Sequence, residues 1–469
     1  MDEQRLQAYL NLIKQLLTCP RGEEVQILES NRELMDAGLL QVMAQEVEKL
    51  AADGNQKAAE FLLRLRSKVL KVLGTSASPT LVNPSSQDYL EFLEEVLLAT
   101  DNSNSDPTVV YPLLEANLEK LDDKFIDILK TWASAKFSKL EPETAEDIAI
   151  DIGNFSNLIS NFSLGNKANN IEIAIAGYET MLTVISRESN PETWAAIQNN
   201  LGISYSDRIN GDKADNVEKA IEAYQLALSV YTKSDFPEDW ASTHYNLGIA
   251  YSDRINGDKA DNIEKAIEAY QLALSVYTKS DFPEDWANTH YNLGNAYSKR
   301  ILGNSAENLE NAIASYQNAS EFYTREAFPE DWADVQRNIG KLLVQQGSWY
   351  DGLSRLEQSL PIYDQTENLE ALADSVYHIA RTHHLIMNLD KARMNYRDAL
   401  RIYNHLNNQP GIAICKTGLG MLMISIGFID DARQELTQAY EICHTIKDNQ
   451  GIDNIQQLLQ VINKIQAKP

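Results

Sequence analysis

The chain has 469 residues, 43% of them hydrophobic, and carries 68 acidic against 41 basic side chains. Its formal net charge of −27 repels nucleic-acid phosphates and anionic lipid, so neither nucleic acid nor a membrane is expected as the main partner. The cysteines, Cys19, Cys415 and Cys443, are too far apart for a disulfide framework or a zinc site, and no signal-peptide pattern or membrane-length apolar run is visible, which favours a cytoplasmic location.

The N-terminal part of the chain is predicted to be helical but shows no internal repeat. A polar segment rich in proline and serine, residues 74–86, separates an N-terminal helical bundle at residues 1–73 from a second helical segment at residues 87–142. Amphipathic stretches at helical spacing run near residues 3–18, 22–34, 37–51, 55–73, 87–100, 109–120 and 122–138.

Sequence repeats begin near residue 143. The pattern Pro-x-x-Trp recurs every 46 residues, with its prolines at Pro191, Pro237, Pro283 and Pro329. Within one copy, a first helix, called helix A, carries on one face the side chains Trp240, His244, Leu247 and Tyr251. A second apolar stripe, on helix B, runs from Ile263 to Tyr277. Such pairs stack because none can bury its apolar face alone.

The helix boundaries follow from local signals. The repeated prolines suit the first turn of helix A. Capping-box spacing before helix B is found at Asn169/Glu172, Asp215/Glu218 and Asp261/Glu264. Further along, the period shortens to 40 residues, anchored on Gly340, Ala380 and Gly420. We therefore expect about seven helix pairs over residues 143–450 and a capping helix within residues 451–469.

The repeat signature resembles a known family. Leu247-Gly248-x-x-Tyr251, followed by Ala266-x-x-x-Tyr270, looks like the tetratricopeptide repeat (TPR). The period exceeds the usual length of about 34 residues. The excess lies in the loop between helices A and B and in the connection to the next helix A. The resemblance implies an all-α fold in which an N-terminal helical bundle region precedes a right-handed TPR superhelix, an α-solenoid.

Stretches of the N-terminal part, among them Gln87-Asp88-Tyr89-Leu90, resemble the opening of cyanobacterial TPR proteins. Many of those continue into a C-terminal CHAT domain, a caspase-like protease fold with a His/Cys pair. We expect no such domain here, because the sequence stops at the closing helix. The resemblance then implies a binding protein related to such proteases, or the separate recognition partner of one.

The resemblance also implies that one face of helix A lines a concave groove. At equivalent places along that face stand four asparagines, Asn200, Asn246, Asn292 and Asn338. A primary amide both donates and accepts hydrogen bonds, so this ladder is suited to pairing with the backbone of an extended peptide. The alternative is that these asparagines only bond neighbouring helices.

The later part of the predicted groove is basic. The other residues predicted to bind a peptide are Tyr245, Tyr291, Ile249, Asn295, Lys299, Arg337, Lys341, His378 and Arg381. In a chain this acidic, the cations among them could receive an acidic side chain or a terminal carboxylate. Ordinary solvated charge is the alternative.

No catalytic, metal or cofactor pattern emerges. Residues 207–218 have the length of a calcium loop, but Ile209 and Gly211 stand where ligands are needed. His378, His383 and His384 lack the spacing that would aim two imidazoles at one metal. We therefore expect a protein without enzymatic activity.

Two hypotheses about function follow. The first is a cytoplasmic scaffold or adaptor that binds an extended peptide segment of a partner protein in its groove. The second is a ligand-responsive regulator, similar in plan to peptide-pheromone receptors, that changes its superhelical pitch on binding. The sequence leaves the identity of the partner and the oligomeric state open.

Overall fold

The computed structural model describes residues 3–18, 34–52 and 84–466, together with residues 27, 28, 30, 31, 62, 65, 66 and 69. Every regular element in these ranges is helical, as predicted. Contacts divide the chain into two compact units, Met1–Asp88 and Tyr89–Pro469. Most of the helices expected at residues 22–34 and 55–73, most of the linker expected at residues 74–86, and Cys19 lie outside the described residues.

The first unit contains two long described helices, α1 (Glu3–Thr18) and α2 (Ala37–Ala52). Their apolar side chains recur at helical spacing and share one core, formed among others by Tyr9, Leu12, Leu16, Leu39 and Met43. The Tyr9 hydroxyl donates a hydrogen bond of 2.6 Å to Asp36 Oδ1, immediately before α2.

The second unit opens with three helices that show no repeat: α3 (Ser86–Asn102), α4 (Pro107–Ala116) and α5 (Asp123–Phe137). The ring of Phe125 in α5 lies 5.4 Å from that of Phe92 in α3 and 6.0 Å from that of Phe155, centroid to centroid. Phe155 belongs to the first repeated helix, so this aromatic core continues into the repeats without a break.

The described residues from Pro142 to Ile446 form seven helix pairs. Helices A are α6 (Pro142–Asn161), α8 (Pro191–Asp207), α10 (Pro237–Asp253), α12 (Pro283–Lys299), α14 (Pro329–Gln346), α16 (Leu369–Leu385) and α18 (Gln409–Ser425). Helices B are α7 (Lys167–Met181), α9 (Lys213–Leu228), α11 (Lys259–Leu274), α13 (Ser305–Ala319), α15 (Trp349–Gln365), α17 (Leu389–His405) and α19 (Ile429–Ile446). A last helix, α20 (Asn449–Gln466), packs on α19. Each helix B contacts its own helix A and the next one, which makes an α-solenoid.

The repeated tryptophans pack between successive pairs. Trp194 and Trp240 border one cluster, whose buried members are Ala195, Ala227 and Tyr231. Trp240 and Trp286 border the equivalent cluster one repeat later. Each tryptophan therefore bridges two repeats, and its role is to hold the stack together.

The glycine of the repeat signature lets helix B approach helix A closely. A Cβ atom placed on Gly248 would lie 2.6 Å from the ring of Tyr270 in α11. The same clash, at 2.5 Å, would occur between Gly202 and Tyr224. A methyl group cannot be accommodated at these distances, so the missing side chain fixes the spacing of the two helices.

The capping boxes predicted before helix B are wrong. Helix α11 begins three residues earlier than that spacing implies, and its N-cap is Asp258, whose Oδ1 accepts from the backbone N–H groups of Ala260 (2.8 Å) and Asp261 (3.1 Å). Glu264 instead accepts two hydrogen bonds of 2.7 Å from the guanidinium of Arg300 in the next repeat. The glutamate therefore connects repeats and caps no helix.

Three such ion pairs form a series along the solenoid: Arg208–Glu172, Arg254–Glu218 and Arg300–Glu264. Each arginine also donates to a buried asparagine that organises the loop between helices A and B. In the loop of the third helix pair, for example, Asn262 accepts from Arg254 Nη1 (3.4 Å) and donates to the carbonyl of Asn256 (2.8 Å). One guanidinium thus orders its own loop and binds the preceding repeat.

The period shortens from 46 to 40 residues because the connections between helices become shorter, while the helices keep almost the same length. In the third pair, residues 254–258 join α10 to α11, and residues 275–282 lead to α12. In the sixth pair, residues 386–388 join α16 to α17, and residues 406–408 lead to α18. The shorter connections leave no loop in which to repeat the arginine–asparagine arrangement.

The observed N-cap gives a direct test. Asp258→Ala should lower the free energy of unfolding by about 1 kcal/mol, because two N–H groups at the start of α11 lose their acceptor. Asp261→Ala, at the position that the sequence pattern favoured, should cost only a few tenths of a kcal/mol. Urea unfolding followed by circular dichroism measures both variants. Equal losses, or a larger loss for Asp261→Ala, would contradict this assignment.

Candidate functional site

Helices A of neighbouring pairs touch one another and form a continuous surface: α6 contacts α8, α8 contacts α10, and α10 contacts α12. Contacts continue from α14 through α16 and α18 to α20. We call the side chains at the four predicted groove positions of each helix, spaced i, i+4, i+7 and i+11, the groove face. In α10 these are Ser242, Asn246, Ile249 and Asp253.

At the N-terminal end of the groove face, amide side chains join the first two pairs. Asn200 Nδ2 donates a hydrogen bond of 3.0 Å to Asn157 Oδ1 in α6. The same oxygen accepts from the Tyr178 hydroxyl at 2.6 Å. The exposed side chains of Ile203 and Asp207 complete this end.

In the middle of the groove face, predicted asparagines and tyrosines are brought together. Asn292 Nδ2 donates to the hydroxyl of Tyr245 (3.1 Å), and Asn338 Nδ2 donates to that of Tyr291 (3.3 Å). Each bond connects two successive helices A. All four side chains are half-buried, so they are held in place yet keep one side open to solvent.

Two other predicted residues differ from this pattern. Asn246 is half-buried but makes no hydrogen bond with another described residue, because Asn199 stands where later repeats have tyrosine. Asn295 Oδ1 accepts from the Tyr316 hydroxyl at 2.7 Å. Ile249 is half-buried and packs against the apolar core of its repeat. The asparagines thus share a position, but their surroundings differ from one repeat to the next.

Three predicted groove residues of the fifth and sixth pairs lie in a charged cluster, which we define as Asp334, Arg337, Lys341, Asp374 and His378. Arg337 Nη2 lies 2.9 Å from Asp334 Oδ1, and Lys341 Nζ lies 3.1 Å from Asp374 Oδ2. His378 Nε2 lies 3.4 Å from Asp374 Oδ1. These members of the predicted basic segment are therefore paired within the fold, since two carboxylates at equivalent groove positions, Asp334 and Asp374, contact them.

Protonation states in the charged cluster follow from these contacts. Burial alone would raise the pKa of the Asp374 carboxyl, but the hydrogen bond with His378 and the charge of Lys341 outweigh it and hold that pKa well below its usual range. Burial lowers the pKa of His378, so its imidazole is neutral at pH 7. Asp374 is the acceptor on which the cluster depends.

Lys299 and Arg381 are the predicted cations that remain exposed and form no ion pair with another described residue. They lie on different helices: Lys299 is on α12, and Arg381 is on α16, which also carries Asp374 and His378 of the charged cluster. Any electrostatic attraction of a ligand by the predicted cations of the groove face therefore comes from these two separate points.

Other candidate chemical groups are structural. Cys415 and Cys443 are buried, and burial raises the pKa of Cys415 to about 12, so its thiol stays protonated at pH 7. His384 Nε2 lies 3.0 Å from Ser425 Oγ. In the described parts of the chain, no three His, Cys, Asp or Glu side chains are placed to hold a metal ion. No helix in those parts is long and apolar enough to span a bilayer.

Asp374→Asn tests the charged cluster. The variant should lower the free energy of unfolding by about 2 kcal/mol at pH 7, less than for a fully buried pair, because Lys341 and Arg337 lose an anionic partner. The folded pKa of Asp374 lies below its ordinary value, so its stabilisation is complete above pH 4 and is lost as the pH falls further. Urea unfolding from pH 7 to 3 should show the variant and wild type converging.

The matched control is Asp253→Asn, an exposed carboxylate at a groove position of α10. It should change stability by less than about 0.5 kcal/mol. A cost for Asp374→Asn no greater than that of the control would show that the charged cluster does not stabilise the fold.

Known proteins provide two kinds of comparison. Residues 331–405 match the tetratricopeptide repeat family, and residues 213–352 match the family described as soluble NSF attachment protein, SNAP. No curated protein sequence matches the chain.

Solved structures provide a further comparison. One is a signal transduction ATPase with numerous domains from Pyrococcus horikoshii, which has a tetratricopeptide repeat sensor. It is 12% identical to this chain, with a TM-score of 0.51, and the match covers 98% of this chain and 65% of that chain. Aspartyl phosphate phosphatase F from Bacillus subtilis is 10% identical, with a TM-score of 0.44 over 73% of this chain and 94% of that chain. The family match over residues 331–405, the helix pairs and their glycine–tyrosine contacts show that the chain contains tetratricopeptide repeats, and the Pyrococcus horikoshii structure shares its fold.

Proposed function

We propose that the chain is a non-enzymatic adaptor that binds an extended peptide segment of a partner protein along the groove face. The observation that carries this proposal is the set of partly exposed amides that helices A hold at equivalent places. Asn200, Asn292 and Asn338 are each fixed by a hydrogen bond to the preceding helix A.

The amides keep hydrogen-bonding capacity after these internal bonds. A primary amide offers two N–H groups and a carbonyl oxygen, and the bond from Asn292 to Tyr245 uses one N–H. The second N–H and the carbonyl oxygen remain to pair with a peptide backbone. Because the side chain is already ordered, binding costs less conformational entropy than it would for a free asparagine.

The interaction between helices and the interaction with a peptide are therefore compatible. The simpler alternative, in which the asparagines only join neighbouring helices, accounts for one bond per amide. It does not account for Asn246, which stands at the same position without such a bond to a described residue.

Charge along the groove face restricts the ligand. The exposed carboxylates Asp207 and Asp253 lie in the second and third pairs, and the exposed Lys299 lies in the fourth. A bound segment should therefore be neutral or basic where it passes the second and third pairs. A strongly acidic segment would be repelled there as well as by the net charge of −27.

Peptides selected from a phage-displayed random dodecapeptide library on the immobilised full chain test the proposal. The selected peptides are synthesised with a fluorophore. Their binding to the Asn246→Ala and Asn292→Ala variants should be weaker than binding to wild type by about 1 to 2 kcal/mol each, because backbone groups of the peptide lose their partner. Fluorescence anisotropy measures the affinities.

Gln271→Ala is the matched control. Gln271 Nε2 donates to the Tyr297 hydroxyl at 2.9 Å, the same type of bond as that of Asn292, but from helix B of the third pair. Its loss should leave peptide affinity unchanged. Wild-type affinity in the Asn246/Asn292 double variant would refute the role of the ladder, and a peptide-induced compaction in small-angle scattering would favour the ligand-responsive regulator over a passive adaptor.

A further inference from the structure

The last part of the groove face differs in chemistry from the rest. The 40-residue period carries the groove positions from α16 into α18 and α20. At these positions stand exposed apolar side chains, which we call the apolar patch: Leu385 (49% exposed), Ile414 (38%), Met421 (45%), Val461 (43%) and Ile465 (42%).

The apolar patch spans three helices. Helix α16 contacts α18, and α18 contacts α20, so the five side chains belong to three neighbouring helices. Between α16 and α18, a cavity of about 390 Å³ is lined by Tyr377, Arg381, Leu385 and Met421, among others. This volume is enough to receive a large apolar side chain.

Helix α20 contributes two of the exposed apolar side chains. Helix α20 does bury Ile455 and Ile462 against the last pair, yet it leaves Val461 and Ile465 open. Exposed apolar side chains at equivalent positions of neighbouring helices point to a site of interaction.

One cation borders the apolar patch. The groove positions of α16, α18 and α20 carry two charged side chains, Asp374 and Arg381. Asp374 contacts Lys341 and His378, whereas Arg381 forms no ion pair with a described residue. It lines the same cavity as Leu385 and Met421. A ligand that fills this cavity therefore meets an apolar wall and an unpaired guanidinium together.

We propose that the apolar patch receives a stretch of the bound segment that carries at least two large apolar side chains and a neighbouring carboxylate for Arg381. The inference rests on the proposed function and specifies the chemistry of the partner at one end of the groove face. It commits to a partner segment as the occupant. A second copy of the chain is the competing occupant that the experiment must exclude.

The experiment compares the dodecapeptides selected by wild type with those selected by Leu385→Ser/Met421→Ser/Val461→Ser, the patch variant. Wild type should enrich peptides with paired apolar residues beside Asp or Glu, and the patch variant should not. For an individual peptide of this class, the patch variant should reduce affinity at least tenfold, because three apolar contacts are lost. Arg381→Gln should reduce it severalfold and weaken its dependence on salt.

Met394→Ser is the control, because Met394 is an exposed apolar side chain on helix α17, a helix B. It should leave selection and affinity unchanged, and circular dichroism should show all variants folded, since the substituted side chains are exposed. An equal loss for Met394→Ser and for the patch variant would show a nonspecific effect of surface apolarity and would overturn the assignment.

Other outcomes separate the two proposals. If the Asn246 and Asn292 variants weaken binding of the selected peptides but the patch variant does not, the adaptor proposal stands and the apolar patch is refuted as a ligand site. If wild type selects no peptide, both fail. If sedimentation velocity shows a dimer that the patch variant dissociates, the occupant is a second copy and the inference is wrong.

Discussion

The close approach of helix B to helix A, made possible by a glycine facing a tyrosine ring, is the contact on which the rest of the structure depends. At Gly202, Gly248 and Gly294 a Cβ atom would lie within 3 Å of the ring of Tyr224, Tyr270 and Tyr316, respectively. The contact therefore fixes both the distance and the rotation of the two helices within a pair. Once rotation is fixed, so is the set of side chains that each helix A leaves for the groove face.

Regularity between pairs has a different origin. In the 46-residue repeats, the tryptophans fill the space between pairs, and the arginine–glutamate ion pairs join one loop to the preceding helix B. Where the connections shorten, those ion pairs end, and the charged cluster around Asp374 links α14 to α16 instead. Both arrangements use partly buried ionic contacts between repeats, so the stack stays ordered although its period changes.

Sequence reasoning worked where the determinants are local and periodic. Helix A begins at the repeated prolines, as their place in the repeat predicts. It failed where partners lie in different repeats. Glu264 and Arg300 are 36 residues apart, so local spacing instead suggested a capping box between Glu264 and the nearer Asp261. Likewise, Asp374 was visible among the groove positions, but its pairing with Lys341 depends on how two helices face each other. The positions of the apolar patch, by contrast, can be derived from the 40-residue period of the sequence, which extends the groove positions into α18 and α20.

The groove face thus changes character along its length. The amides of the ladder occupy the second to fifth pairs, a neutralised charged cluster the fifth and sixth, and exposed apolar side chains the end. Backbone-directed amides bind extended chains with little regard to sequence, whereas an apolar cavity beside an unpaired guanidinium discriminates between side chains. Because the charged cluster satisfies itself, it contributes little attraction to either end. Affinity and specificity would then come from separate stretches of one surface, with the amides holding the backbone and the apolar patch selecting the partner.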